Sequence, residues 1–313
     1  MVMLNNVELS GINLPAYVQK QELVARTMDI SEGQVAVYND NRFPKRVVNR
    51  NGRFPHQLLQ QWRARLSVEK INLKDIDVSY AELDEESGQR GKITFEKTSG
   101  SILNVTNMPT RKAQNAITHA DLLSYVMGQG KLAVQFDFDL NSSLGAFTYA
   151  GKLTNLDGKT LNRITKPLGM VQVNRAEIKA LTFAVKADER LARGTLDFRY
   201  NNLSVALLKK EHGKDRLVRQ GLISFLANNL VIYSDNPAAD GKFTSASLHY
   251  QREATASFFS YIWRSLFQGV KYSVGVSPQK EAEIKAQIRR FEQMKEDREE
   301  RRLRRQQRKD RKE

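Results

Sequence analysis

The chain contains no cysteine, so disulfides and thiolate metal sites are excluded while the redox compartment stays open. It has no apolar run of about 18 residues, and Met1-Val2-Met3-Leu4 passes at once into Asn5-Asn6 without a signal-peptide pattern. Any membrane association is therefore expected to be peripheral or to be anchored elsewhere. Enzyme signatures are equally scarce. The four histidines, His56, His119, His212 and His249, lie far apart with no HExxH-type spacing, and are expected to be ordinary surface or hydrogen-bonded residues. No GxSxG elbow occurs. Gly88-Gln89-Arg90-Gly91-Lys92 lacks the GxxxxGK[ST] spacing of a phosphate loop and joins two strand-like stretches, so it reads as a hairpin turn. No catalytic residue, metal site or cofactor is expected.

What is present is a chain of 313 residues, enough for a sizeable core, with a net charge of +15. From Pro278 to Glu313 there are 14 Lys or Arg against 9 Asp or Glu, which puts +5 in the tail and +10 in the body. Arg301-Arg302, Arg304-Arg305 and Arg308-Lys309 could neutralise phosphates, yet their acidic neighbours and the lack of interleaved aromatics favour a solvated helical tail over a nucleic-acid partner. The composition divides the chain into a β-rich region, 1–275, and a charged tail, 276–313.

Within the first region the dominant pattern has period two. It is longest over Lys131 to Leu153, where Leu132, Val134, Phe136, Phe138 and Leu140 share one side of a strand and Gln135, Asp137 and Asp139 the other. After Asn141 to Gly145 the alternation resumes with Phe147, Tyr149, Gly151 and Leu153, which predicts an antiparallel hairpin with one apolar face. The acidic residues opposite that face read as its solvated side, not as a catalytic pair. Ile93 and Phe95 continue the pattern before the hairpin. Leu181, Phe183 and Val185, then Leu196, Phe198 and Tyr200, continue it afterwards, with a change of parity across Asn201-Asn202 that a bulge would produce. Met28, Ile30, Val35 and Val37 align with Ile71, Leu73, Val78 and Tyr80 at an offset of 43, a spacing that either a weak repeat or chance register can give.

Helical stretches are short before residue 217: Pro15 to Glu22, His56 to Arg63 behind Pro55, and Thr160 to Lys166 closed by Pro167. Ile117 to Met127 is read as a strand and Leu217 to Asn229 as a helix. Gly241 to Tyr250 returns to strand. Ser257 to Tyr272 is read as an amphipathic helix with Phe259, Ile262, Leu266 and Val270 on one face, flanked by Phe258, Trp263 and Phe267. That helix either caps the sheet or meets a membrane or partner. Beyond it Ile284, Ile288 and Phe291 form a stripe that fades into mixed charge.

A bare hairpin face would expose at least six large apolar side chains at about 1.5 to 3 kcal/mol each, a total of roughly 9 to 18 kcal/mol. That rivals the stability of a whole domain, so something covers the face. A second sheet, a helix or a bound lipid would each suffice, and the scarcity of helix before residue 217 favours the first and third.

The succession FPHQLL (54–59), INLKDIDVSYAEL (71–83), GKITFEKTSGSILNVTN (91–107), GKLAVQFDFDLNSSLGAFTYAGKL (130–153) and GLISFLANNLVI followed by SFFSYIWRSLFQGVK resembles the C-terminal part of AsmA-like proteins of Bacteroidota-type bacteria. The resemblance lies in the order and spacing of strands over residues 4–275. It implies a mainly β fold: a long, curved, mostly antiparallel sheet forming an open groove, with a few short helices, the amphipathic C-terminal helix and the charged helical tail. It also implies a periplasmic, inner-membrane-associated envelope protein that moves phospholipid or serves outer-membrane biogenesis. The inward faces named above would line the groove, and Lys131, Lys152, Lys179 and Arg199 could draw anionic headgroups. The implied partners are phospholipid or another lipid, a membrane surface and envelope proteins. The family's N-terminal membrane helix is not found in this chain, and the tail lies outside the resemblance. The alternative on the residues themselves is a closed β core that docks a partner.

Overall fold

A computed structural model describes residues 1–40, 49–210, 217–219 and 232–277, with isolated positions from 279 to 294 that are helical. Ten strands lie side by side in the order in which the chain supplies them: β1 (Val2–Ser10), β2 (Glu22–Asp40), β3 (Arg65–Leu83), β4 (Arg90–Thr106), β5 (Ile117–Val126), β6 (Gly130–Asp139), β7 (Phe147–Asp157), β8 (Val171–Ala187), β9 (Leu191–Lys210) and β10 (Leu217–Arg219). A further strand, β11 (Ser245–Gln251), pairs with the other end of the β9 edge. The protein is thus mainly β, a single open mixed sheet that is mostly antiparallel. Continuous α-helices among the described residues are α1 (Leu14–Lys20), α2 (Pro55–Gln61), α3 (Pro109–Gln114), α4 (Asn162–Gly169) and α5 (Phe258–Ser273).

The hairpin pairs as its alternation requires: Leu132 faces Leu153, Phe136 faces Tyr149 and Phe138 faces Phe147. The parity change near Asn201-Asn202 coincides with a register shift against β8, and Asn202 adopts φ 57°. The exception to antiparallel pairing is β2 with β3, whose connection passes through α2. In that parallel register Met28 lies beside Ile71, Ile30 beside Leu73, Val35 beside Val78 and Val37 beside Tyr80. The offset of 43 is therefore a spatial register, two copies of one strand design laid side by side. Both carry the same irregularity: Glu32 and Asp75 have φ 56° and 54°, and Lys97 of β4 follows with 51°. A left-handed residue advances the side-chain alternation by one, so the inward set runs 71, 73, 76, 78, 80 on β3 and 93, 95, 98, 100, 102 on β4.

Two local expectations are corrected. Leu217–Arg219 is a strand held by Lys210, Lys209 and Leu208 of β9, not the start of a helix; the remainder of that predicted helix, like the apolar stripe of the tail, lies outside the described residues. Pro167 stands inside α4 and does not close it. Its ring meets the carbonyl of Arg163, the second residue of the helix, so the disruption falls in the first turn and α4 runs on to Gly169.

Candidate functional site

Fifteen of the residues that alternation places on the apolar face belong to one cluster; Leu140, at the turn, is buried outside it. Phe147, Tyr149, Leu153, Phe183, Val185, Leu196, Phe198 and Tyr200 are buried, and Ile93, Phe95, Leu132, Val134, Phe136, Phe138 and Leu181 pack half-buried against them. What covers them is a helix, contrary to the expectation drawn from helix scarcity. α5 lies on the inward face: Phe258 meets Phe136, Phe138 and Phe147 with ring centroids 5.2 to 6.5 Å apart. On β7, Tyr149 Oη lies 2.6 Å from Ser265 Oγ, and burial pushes the phenol above its ordinary pKa despite that bond. On β3, Phe259 stacks on Tyr80 at 5.5 Å and Arg264 reaches the buried Glu82 at 3.5 Å.

The seat of the helix is built from small residues. Ser260, Ser265, Gly269 and Ser273 are buried with Tyr261, whereas Ile262, Leu266 and Val270 are half-buried along the cluster, and Trp263 and Phe267 stack on each other at 4.9 Å on another flank. A Cβ on Gly269 would stand 2.6 Å from Leu248 on β11 and 3.0 Å from Leu196 on β9. One helix, about 10 to 12 Å across, thus touches β3 and β9. Six strand spacings separate them, about 29 Å in a flat sheet. The sheet bends around α5, and side chains that would protrude are pushed to its flanks. This explains why the stripe Phe259, Ile262, Leu266 and Val270 read from the sequence is not the closest-packed line. The missed signal was the spacing by four of Ser265, Gly269 and Ser273.

Sequence reasoning also missed the plug that enters beside the helix. Phe54, at the head of α2, is 1 % exposed and packs on Phe147, Phe258 and Tyr261. Arg252 lies over its ring at 4.8 Å and ties the neighbourhood together, donating to Asn51 Oδ1 (2.8 Å), Ala256 O (2.7 Å), Glu189 O (3.3 Å) and Arg50 O (3.3 Å). His56 corrects another expectation, since it is neither on the surface nor well hydrogen-bonded. It is 5 % exposed, 5.0 Å from the Phe138 ring centroid, and neither ring nitrogen makes a hydrogen bond of good geometry, the Gly145 backbone offering only a weak one.

Burial lowers the His56 pKa from 6.5, an effect that the Gly145 backbone and the charges of Asp139 and Glu189 offset only in part. Above pH 6.5 the ring is neutral folded or unfolded. As pH falls below that value the unfolded chain takes up the proton first, so stability is lost on acidification until the folded ring also titrates. His56→Phe should flatten the fall of the thermal midpoint between pH 7 and pH 5; an unchanged slope would assign it to other groups.

The opposite face is polar. Asp137 accepts from Thr148 and lies 2.6 Å from His119 Nδ1, and both Asp137 and His119 are partly exposed. Lys131, Lys152, Lys179 and Arg199 are exposed on this outer side, with Lys179 paired to Glu177 and Arg199 stacked over Phe243, so they do not rim the inner face. A cavity of about 820 Å³ opens between α5 and the β3–β4 turn, backed by Leu168, Trp263 and Phe267 but walled by Glu82, Asp84, Glu85, Glu86 and Glu253; it does not extend the apolar face.

The apolar face extends in the other direction. Register carries it from Val134 through Leu122, Gly100, Leu73 and Ile30 to Val7, and from Phe136 through Ala120, Ile102, Ile71 and Met28 to Leu9. On β2 to β5 these apolar residues are mostly half-buried, and Val7 is exposed, so this part of the face is not sealed as the α5 part is. Among the described residues no helix is long and apolar enough to cross a membrane, and no group of His, Asp and Glu could hold a metal ion. Comparison of the chain with family models, curated proteins and solved structures finds no match.

Proposed function

We propose that this is a non-enzymatic protein of the bacterial envelope that shields acyl chains along its inner sheet face, in phospholipid transport or outer-membrane biogenesis. The observation that carries the reading is the continuation of the apolar rows across β1 to β5 beyond the cover of α5. Apolar walls of this kind select length and greasiness, and the polar outer face keeps the protein in water. A periplasmic location and an inner-membrane association belong to the same proposal, and rest on the resemblance of strand order alone.

The test is native mass spectrometry and organic-solvent extraction of the purified protein. Phospholipid should co-purify, and Ile30→Asp with Leu73→Asp should lower its retention about tenfold, equivalent to ~1.4 kcal/mol. Absence of lipid in both measurements would reject the reading. The sealing of the inner face by α5, from Tyr80 on β3 to Leu196 on β9, favours a second reading, a closed core that docks an envelope protein. On that reading the two aspartates leave lipid content at zero and alter partner binding only.

A further inference from the structure

The sheet has two ends, and they differ. The β9 end carries β10, β11 and the isolated bridge from Tyr200 to Asn236, so its edge is largely occupied. At the other end, no strand among the described residues pairs with the outer edge of β1. That strand is nine residues long, contains neither proline nor lysine, and has Glu8 as its one charge. Natural sheets usually protect such an edge with charge, proline or a covering element. Here Val2, Leu4 and Val7 stand 64 %, 38 % and 52 % exposed.

The inward residues of β1 are fixed by the partners they face. Val2 pairs with Val35, Leu4 with Gly33, Val7 with Ile30 and Leu9 with Met28. The spacing is two, three, two, because the unbroken pairing of β1 with β2 carries it past the left-handed Glu32. A regular strand could not fit this edge, since alternation without the extra residue would turn half of its apolar side chains to the wrong face. A second β1 can. Run antiparallel about a point between Asn5 and Asn6, it sets Val2 opposite Leu9, Leu4 opposite Val7, and Met3 opposite Glu8, with no like charges facing. The spacing reads the same in both directions, so the edge is complementary to itself.

We infer that β1 is a dimerisation strand: two copies of this chain pair β1 to β1, antiparallel, around a twofold axis normal to the sheet. The interface is isologous, as most homodimer contacts are. The axis keeps both inner faces on the same side, joining two ten-strand rows into one continuous apolar surface with an α5 seat toward each end. The pairing stands on edge and register and does not depend on what the inner face binds.

Sedimentation equilibrium of a C-terminally tagged chain should give twice the 35.8 kDa of one copy. Leu4→Lys with Val7→Lys should return it to one copy with unchanged circular dichroism. Register is read separately by single cysteines, which the native chain lacks. Val2→Cys mixed with Leu9→Cys should form an intermolecular disulfide under mild oxidation. Either variant alone should not, because its two thiols would sit seven residues apart along the pairing, roughly 24 Å. A chain that sediments as a monomer at its highest soluble concentration overturns the inference. So does a dimer that survives the two lysines and fails to cross-link in the mixture.

Discussion

Gly269→Leu is expected to unseat the C-terminal helix, lowering stability by about 3 kcal/mol or more. The Cβ alone would come within 2.6 Å of Leu248 and 3.0 Å of Leu196, and both contacts are side-chain atoms that can yield slightly. Gly269→Ala should therefore cost about 1 kcal/mol. The additional branch of leucine has no space, because Leu196 is fully buried and held between β8 and β11. The strain is relieved by lifting α5, which bares Phe136, Phe147 and Tyr149. Denaturant midpoints should fall in the order Gly, Ala, Leu, and a dye that fluoresces on apolar surfaces should bind the leucine variant before global unfolding. If leucine left the midpoint and dye binding unchanged, α5 would not be seated on this face.

Arg252→Ala is expected to cost about 3 to 5 kcal/mol. Arg252 is 7 % exposed, and its guanidinium donates to three backbone carbonyls and the Asn51 side chain, of which the Ala256 carbonyl is buried and would be left without a donor. The loss also removes a cation from the Phe54 face, worth a further ~1 kcal/mol. Arg252→Lys should recover little, because an ammonium cannot satisfy acceptors arranged around a planar fork. Chemical unfolding of the three proteins measures this, with lysine expected close to alanine. A lysine variant as stable as the original would show that charge, not the fork, holds the plug.

The inward face was legible because its cause is local. A strand half in contact with water alternates whatever it pairs with, so the pairing of Leu132 with Leu153 and of Phe136 with Tyr149 follows from counting. The parity break at Asn202 was legible for the same reason. The parallel pairing of β2 with β3 was not, since an offset of 43 has no preferred meaning until the strands are adjacent in space. The cover was misjudged on a different ground. Helix scarcity before residue 217 is real, but one curved sheet needs only one helix, and α5 supplies it from the end of the chain. Its seat escaped notice because hydrophobicity flags the flanks of a helix in a trough and passes over Ser265 and Gly269. His56 escaped because a histidine surrounded by Phe138, Phe147 and Phe54 is recognisable only after α2 and the distant β6–β7 hairpin meet.

Strand order along the chain has a consequence for how the protein is made. Apart from β2 and β3, each strand from β1 to β10 pairs with its predecessor as an antiparallel neighbour, so the sheet can grow by successive hairpins as the polypeptide leaves the ribosome. The contact that completes it, Tyr149 to Ser265, spans 116 residues. From the completion of β9 at Lys210 until α5 is made, the Phe-rich surface of β6 to β9 is assembled but unprotected, which is the condition under which nascent chains stick to one another. Translation through residues 258–273 is thus the moment of greatest vulnerability, and a holdase that engages the growing chain before Phe258 emerges would act where the sequence needs it.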